Sequence, residues 1–207
     1  MAMDLPDNLV LPLESGAAYW YWLGARPALD FVNTLRERWW RRVECLCTPA
    51  DLGAWLVRAG LLVEAAEIDQ TTLARARSLR EAIDAAGSAN IEGTALPIRA
   101  VSTIDSWLVF ATTPFELRVD DGSATLVTRA PGDPVRAAIA QIALDAAQML
   151  GTAERSRIRI CASSTCSARF FDRSPGANRR WCSMGACGNR EKVRRHRSNS
   201  PSADEQE

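Results

Sequence analysis

CASSTCSARFFDRSPGANRRWCSMGACGNREKVRRHR, residues 161–197, contains four of the chain's six cysteines as two pairs, Cys161/Cys166 and Cys182/Cys187. Each pair is a C-x4-C knuckle, and fifteen residues separate the two. Two thiolates at this spacing can converge on one tetrahedral Zn2+, and about 15 to 20 residues is the usual distance between two such knuckles. Cys161, Cys166, Cys182 and Cys187 are therefore expected to bind one Zn2+. With four thiolates available the site should be closed, whereas a catalytic zinc keeps three protein ligands and a water.

Between the pairs, Ala168 to Phe171 and Arg179 to Trp181 read as strands flanking the turn-rich Ser174-Pro175-Gly176-Ala177-Asn178, which predicts a hairpin that brings the knuckles together. After Cys187 and Gly188 the run Asn189 to Arg197 has no Gly or Pro, so the second knuckle is expected to open a short helix. A peptide helix below about 12 to 15 residues is marginal in water, so the metal has to anchor it. Arg190, Arg194 and Arg197 fall at i, i+4 and i+7 on one helical face, flanked by Lys192 and Arg195. His196, the sole histidine, reads as part of that basic face, because four cysteines already complete the metal shell. Four thiolates and one Zn2+ leave excess negative charge, and Arg169, Arg179 or Arg180 is expected close enough to offset it.

The chain's charge divides at the same place. Residues 1–154 hold 13 Arg and 20 acidic residues (net −7), residues 155–197 hold 11 Arg, one Lys and two acids (net +10), and residues 198–207 hold three acids (net −3). A basic module on an acidic body is the electrostatic footprint of a polyanion binder. The expected partner is DNA, met by Arg179, Arg180, Asn189, Arg190, Lys192, Arg194, Arg195 and Arg197. Asn189 and Arg190 are the candidates for base contacts, since their side chains pair bidentately with adenine and guanine edges. One module offers little area, which points to a homodimer for specific binding. A zinc module with a basic face also suits an adaptor for protein or RNA, and that alternative stays open.

Residues 161–197 resemble the CGNR zinc-finger family, on the string Cys187-Gly188-Asn189-Arg190 and the preceding Arg179-Arg180-Trp181-Cys182-Ser183-Met184. Upstream, Arg26-Pro27-Ala28-Leu29-Asp30-Phe31-Val32-Asn33-Thr34-Leu35, followed by Thr48-Pro49-Ala50-Asp51-Leu52 and Trp55-Leu56, is similar to an ABATE domain. That domain commonly precedes a CGNR finger. The resemblance implies a stress-induced transcription regulator with an α+β amino-terminal domain and a zinc-binding, DNA-binding carboxy-terminal module. The expected division is an α+β domain over 1–153, a treble-clef-like zinc module over 154–197, and a disordered acidic tail over 198–207.

Within the first domain, Ala17 to Leu23 is aromatic and strand-like, and Ala28 to Trp40 keeps a helical period. Thr48-Pro49-Ala50-Asp51 is a helix start with Gly60 as its end, and Leu52, Trp55 and Leu56 form its core face. Further helices are expected from Asp69 to Gly87, from Pro97 to Phe110, and from Asp133-Pro134 to Leu150. Phe115 to Val119 and Thr125 to Thr128 flank Asp120-Asp121-Gly122-Ser123 as a hairpin. Cys45 and Cys47 stand too close for a knuckle and are expected in the core, as are the pairs Trp20/Trp22 and Trp39/Trp40.

Asp30, Asn33 and Thr34 would share one side of the helix from Ala28. Two readings stand: a structural network, or the polar edge of a small-molecule effector pocket lined by Trp39, Trp40 or Trp55. The start MAMDLPDNLVLPLESG has no basic n-region or long apolar run, and no stretch of the chain approaches about 18 apolar residues, so neither a signal peptide nor a membrane span is expected. A cytoplasmic location follows, where thiols stay reduced and available to metal. No Gly-rich phosphate loop is present and a single histidine supports no triad, so no catalytic residues and no enzyme are expected.

Overall fold

Capping side chains decide where the helices begin. Thr48 Oγ1 accepts from the Asp51 N–H while the Asp51 carboxylate accepts from the Thr48 N–H, starting α2 (Pro49–Arg58). Asp69 opens α3 (Gln70–Glu92) through the Thr72 N–H, and Asp133 opens α5 (Pro134–Leu150) through the Arg136 N–H. α4 (Ile98–Leu108) begins after Pro97. The computed structural model in which these are seen describes residues 20–39, 41–112 and 114–199, the last three without side-chain detail.

Two helices differ from expectation. α1 covers only Pro27–Val32, and the chain then turns so that β1 (Leu35–Arg36) pairs antiparallel with β2 (Val43–Glu44). Thr34 Oγ1 donates to the Phe31 carbonyl and the Asn33 side chain bonds a distant backbone, so short polar side chains compete with continuation of the helix. α3 runs past Gly87, which is buried near Ile158, and ends instead at Gly93, whose φ of 70° supplies the left-handed cap. β3 (Phe115–Asp120) and β4 (Ser123–Thr128) form the expected hairpin about Asp121 and Gly122, both with positive φ.

One apolar cluster joins α1, α2, α3, α4 and α5. Trp55 lies at its centre, with Phe31 at 5.0 Å and Trp22 stacked at 5.5 Å between ring centroids. Burying a side chain of this size stabilises by about 1.5–3 kcal/mol. Trp20 and Trp22 pack against the cluster and Cys45 is buried, but Trp39 is 50% exposed, with the Arg169 guanidinium over its ring. Trp20 to Leu23 form no strand. Trp40, the rest of the Ala17 to Leu23 reading and the tail from residue 200 lie outside the described residues.

The hairpin of the cysteine-rich stretch is paired differently from expectation. β6 (Arg169–Phe171) forms, but its antiparallel partner is β5 (Ile158–Ile160), with Ile158 opposite Phe171 and Ile160 opposite Arg169. The hairpin therefore encloses the first knuckle instead of linking the two. Arg179 to Trp181 is not a strand: the Arg179 N–H is taken by the Asp172 carboxylate at 2.7 Å, and the segment meets the first knuckle through the Ala162 N–H and the Arg180 carbonyl. Ile158 and Phe171 belong to the main apolar cluster, so this hairpin closes the core of the preceding helices. The last helix, α6 (Asn189–Asn199), follows a single π-helical turn, Met184–Gly188. The fold is α+β, with a zinc-type module in which one knuckle sits on a hairpin and the other opens a helix.

Candidate metal centre and nucleic-acid surface

The four Sγ atoms of Cys161, Cys166, Cys182 and Cys187 lie within 4.8 Å of one another. Cys166 and Cys182 are 3.8 Å apart and Cys182 and Cys187 3.7 Å. A tetrahedron of sulfurs about 2.3 Å from a central zinc has edges of about 3.8 Å, so the set fits one Zn2+. All four are free thiols rather than disulfides. Hydrogen bonding among the crowded sulfurs drives the Cys161 thiol far below its ordinary range and Cys166 and Cys182 far above it. Four thiolates cannot coexist in so small a volume without a cation among them, and a divalent ion would cancel half of their charge.

Local backbone bonds aim the sulfurs. The Cys161 N–H donates to the Ala168 carbonyl at the end of the β5–β6 ladder, and the Cys166 N–H closes a turn on Ser163. In the second knuckle the Cys187 and Gly188 N–H groups both donate to the Ser183 carbonyl, while Ser183 Oγ accepts from the Ala186 N–H. Arg179 donates to the Cys182 carbonyl at 2.7 Å and lies over the Phe170 ring, so it holds a ligand-bearing residue by its backbone. Arg180 lies over Trp181. Arg169 does not serve the sulfurs as expected. Its guanidinium pairs with Asp84 of α3 at 2.7 Å, because the strand alternation of β6 turns it toward the helices.

Guanidiniums from elsewhere approach the centre. Arg36 of β1 is 4% exposed, its guanidinium lies 3.6 Å from the Tyr21 ring centroid, and the guanidinium nitrogens have no hydrogen-bond partner among the described residues. It lines a small cavity with Cys166, Cys182, Cys187 and Arg190, and together with Arg190 it would offset part of the charge of a zinc tetrathiolate held there. No sequence pattern marks Arg36.

α6 displays the basic surface. Asn189, Arg190, Lys192, Arg194 and Arg195 are exposed, as are Arg179 and Arg180; the side chain of Arg197 lies outside the described residues. Arg190 donates to Thr165 Oγ1 at 3.1 Å. Arg194 pairs with Glu191 at 2.7 Å, and Glu191, 6% exposed, also accepts from Ser163 Oγ. The Arg194 bonds, with help from Ser163, hold the Glu191 carboxyl below its usual range. Glu191 thus ties α6 to the first knuckle and spends part of Arg194's charge. The i, i+3 spacing of Glu191 and Arg194 was a signal for this that the basic pattern obscured. Asp172, which no sequence motif marks, organises the intervening turn. Burial raises its carboxyl, but the bonds from Ser174 and Arg179 outweigh this and hold it below the usual range. His196 sits exposed on α6 and is not in the four-ligand set.

Asp30, Asn33 and Thr34 do not converge. Asp30 accepts from the Gly24 N–H and lines a cleft of about 560 Å3 with Trp22, Arg58, Arg173 and Arg179. Gly24 is obligatory there, since a Cβ would stand 2.6 Å from the Asp30 nitrogen. Asn33, buried, accepts from the Arg169 N–H at 2.8 Å and donates to its carbonyl at 2.9 Å, extending the edge of β6. Thr34 is buried, and Arg80 donates to its hydroxyl.

Residues 25–153 match the family model of ABATE, described as "Putative stress-induced transcription regulator", and residues 157–199 match that of the CGNR zinc finger. No curated protein matches the chain. Among the described residues no helix is long and apolar enough to cross a membrane.

Proposed function

This chain belongs to the ABATE family and carries a CGNR zinc finger, and on that premise we propose that it is a cytoplasmic, non-catalytic transcription regulator that binds DNA through α6. One observation carries this reading: a helix continuous with the second metal knuckle exposes Asn189, Arg190, Lys192, Arg194 and Arg195, with Arg179 and Arg180 exposed on the preceding segment. Bound zinc supplies rigidity, holding the two knuckles together so that a short helix keeps its place. Arg and Lys side chains then meet phosphates, and Asn189 and Arg190 can reach base edges. Fluorescence anisotropy of the full chain on duplex DNA over a salt series tests the reading. Contact with about four to six phosphates gives a slope of log K against log[salt] of about −4 to −5. Affinity that ignores salt, or that survives alanine at Arg190, Lys192, Arg194 and Arg195 together, sinks it.

Regulation requires an input, and the same proposal places it in the cleft beside Asp30. Its size suits a small molecule, its wall carries Trp22, and Arg58, Arg173 and Arg179 favour an anionic effector. A thermal-shift screen of organic acids and phosphates checks this, with stabilisation lost in Arg173→Ala. A second reading, a zinc-dependent protein- or RNA-binding adaptor, draws on Met184 and Val193, half-exposed apolar side chains among the basic ones.

A further inference from the structure

The β3–β4 hairpin is amphipathic with its apolar face outward. Its register sets Phe115, Leu117 and Val119 opposite Thr128, Leu126 and Ala124 on one face, and Glu116, Arg118 and Asp120 opposite Val127, Thr125 and Ser123 on the other. A hairpin packed on its own core buries the apolar face. Here Phe115, Leu117, Val119 and Leu126 are 63%, 67%, 70% and 66% exposed, while the partly buried positions, Glu116 and Val127, lie on the polar face. The sheet has two strands, so the outer edge of β3 is unpaired among the described residues. A two-stranded hairpin alone is marginal in water, and a contiguous exposed apolar face marks an interaction surface.

We propose that β3 is the dimer interface of this chain: it pairs antiparallel with β3 of a second copy about a two-fold axis through Leu117. Charge identifies the occupant. The strand reads Phe115-Glu116-Leu117-Arg118-Val119, which is its own complement about Leu117. In that register Glu116 faces Arg118 of the second copy and Arg118 faces its Glu116, Phe115 faces Val119, and the two Leu117 side chains meet on the axis. Parallel pairing, or an axis through Glu116 or Arg118, sets like charges against each other. β4 (Ser123–Thr128) carries no charge and has no such selection. Within one copy Glu116 and Arg118 pair along the strand on its polar face. The result is a four-stranded sheet, beyond the marginal two-stranded size, in which Phe115, Leu117 and Val119 of one copy lie beside Val119, Leu117 and Phe115 of the other as cross-strand neighbours on one face.

The inference stands on the hairpin alone and does not depend on what α6 binds. Sedimentation velocity of the zinc-loaded full chain over a concentration series, without DNA, tests it. The expected result is a monomer–dimer equilibrium that is lost in Arg118→Glu and in Leu117→Lys. It returns in the double variant Glu116→Arg with Arg118→Glu, because exchanging both charges restores the pairing. All three positions are at the surface or partly so, and an unchanged zinc content shows that each variant is folded. Three results overturn the proposal: a wild type that stays monomeric at every concentration, which leaves the face to a different partner; a dimer that survives both single variants; or a double variant that stays monomeric.

Discussion

Asp30 and Asn33 are polar residues in adjacent turns with opposite consequences. Burial pushes the Asp30 carboxyl up to about 7, against the opposing hydrogen bond from the Gly24 N–H. The folded chain therefore holds this proton more tightly than the unfolded chain, whose carboxyl titrates at about 3.9. Stability falls as pH rises between those two values, and the full cost of a buried carboxylate is present above about 7. Asp30→Asn keeps an acceptor for Gly24 and removes the charge. Melting curves should show the variant more stable than wild type at pH 8 or so and level with it near pH 4, and equal melting temperatures throughout would refute the assignment. Asn33 instead satisfies both backbone groups of buried Arg169. Asn33→Ala orphans the two, at about 1–3 kcal/mol each, so the melting temperature should fall by about 5 °C or more. A differential scanning calorimetry trace within a degree or so of wild type would mean that water replaces the amide.

At the scale of the element, α6 is a cationic helix with one internal brake. Glu191 reaches back to Ser163 and forward to Arg194, so one carboxylate both docks the helix and neutralises part of it. Glu191→Gln keeps hydrogen-bonding capacity and removes the charge. On the DNA-binding reading, the salt slope should steepen by about one unit and the affinity at low salt should rise. An unchanged slope in the anisotropy titration would place Arg194 away from any phosphate. β6 is the other element with a double duty. One residue, Arg169, is held by Asn33 of the α1 terminus and by Asp84 of α3, while Phe171, two positions on, bonds Gly24 and enters the core.

For the whole molecule, the metal centre and the helical core form one structure rather than a bead beside a body. Ile158 and Phe171 sit in the main apolar cluster, the Phe171 N–H donates to the Gly24 carbonyl, and the Arg38 N–H donates to Ser167 Oγ in the first knuckle. Structural zinc contributes about 10–16 kcal/mol of apparent binding free energy, which the hairpin can transmit to what it touches. Removing zinc with a chelator should therefore speed amide hydrogen exchange in α1 and in the second half of α3, as well as in residues 158–190. Exchange that quickens only in the cysteine-rich stretch would show that the two parts melt separately.

The sequence by itself determined whatever depends on spacing along the chain. The two C-x4-C pairs specify the metal and its four ligands, Thr48 with Asp51 and Asp133 with Pro134 mark helix starts, and the run of cations after Gly188 marks the basic helix. These features are local, and their chemistry is complete within a few residues. Tertiary structure decided what depends on which surface meets which. β5 rather than Arg179 to Trp181 pairs with β6, because Ile158 and Phe171 can bury together in a core built by helices far away in sequence. Arg169 turns from the sulfurs to Asp84, Arg36 arrives from β1 in a cavity shared with three of the cysteines, and the α1 helix stops where Asn33 finds the backbone of residue 169. The β5–β6 ladder is decided by the core it closes, and the other choices pair groups from 85 to more than 130 positions apart, so no periodicity along a single segment encodes them.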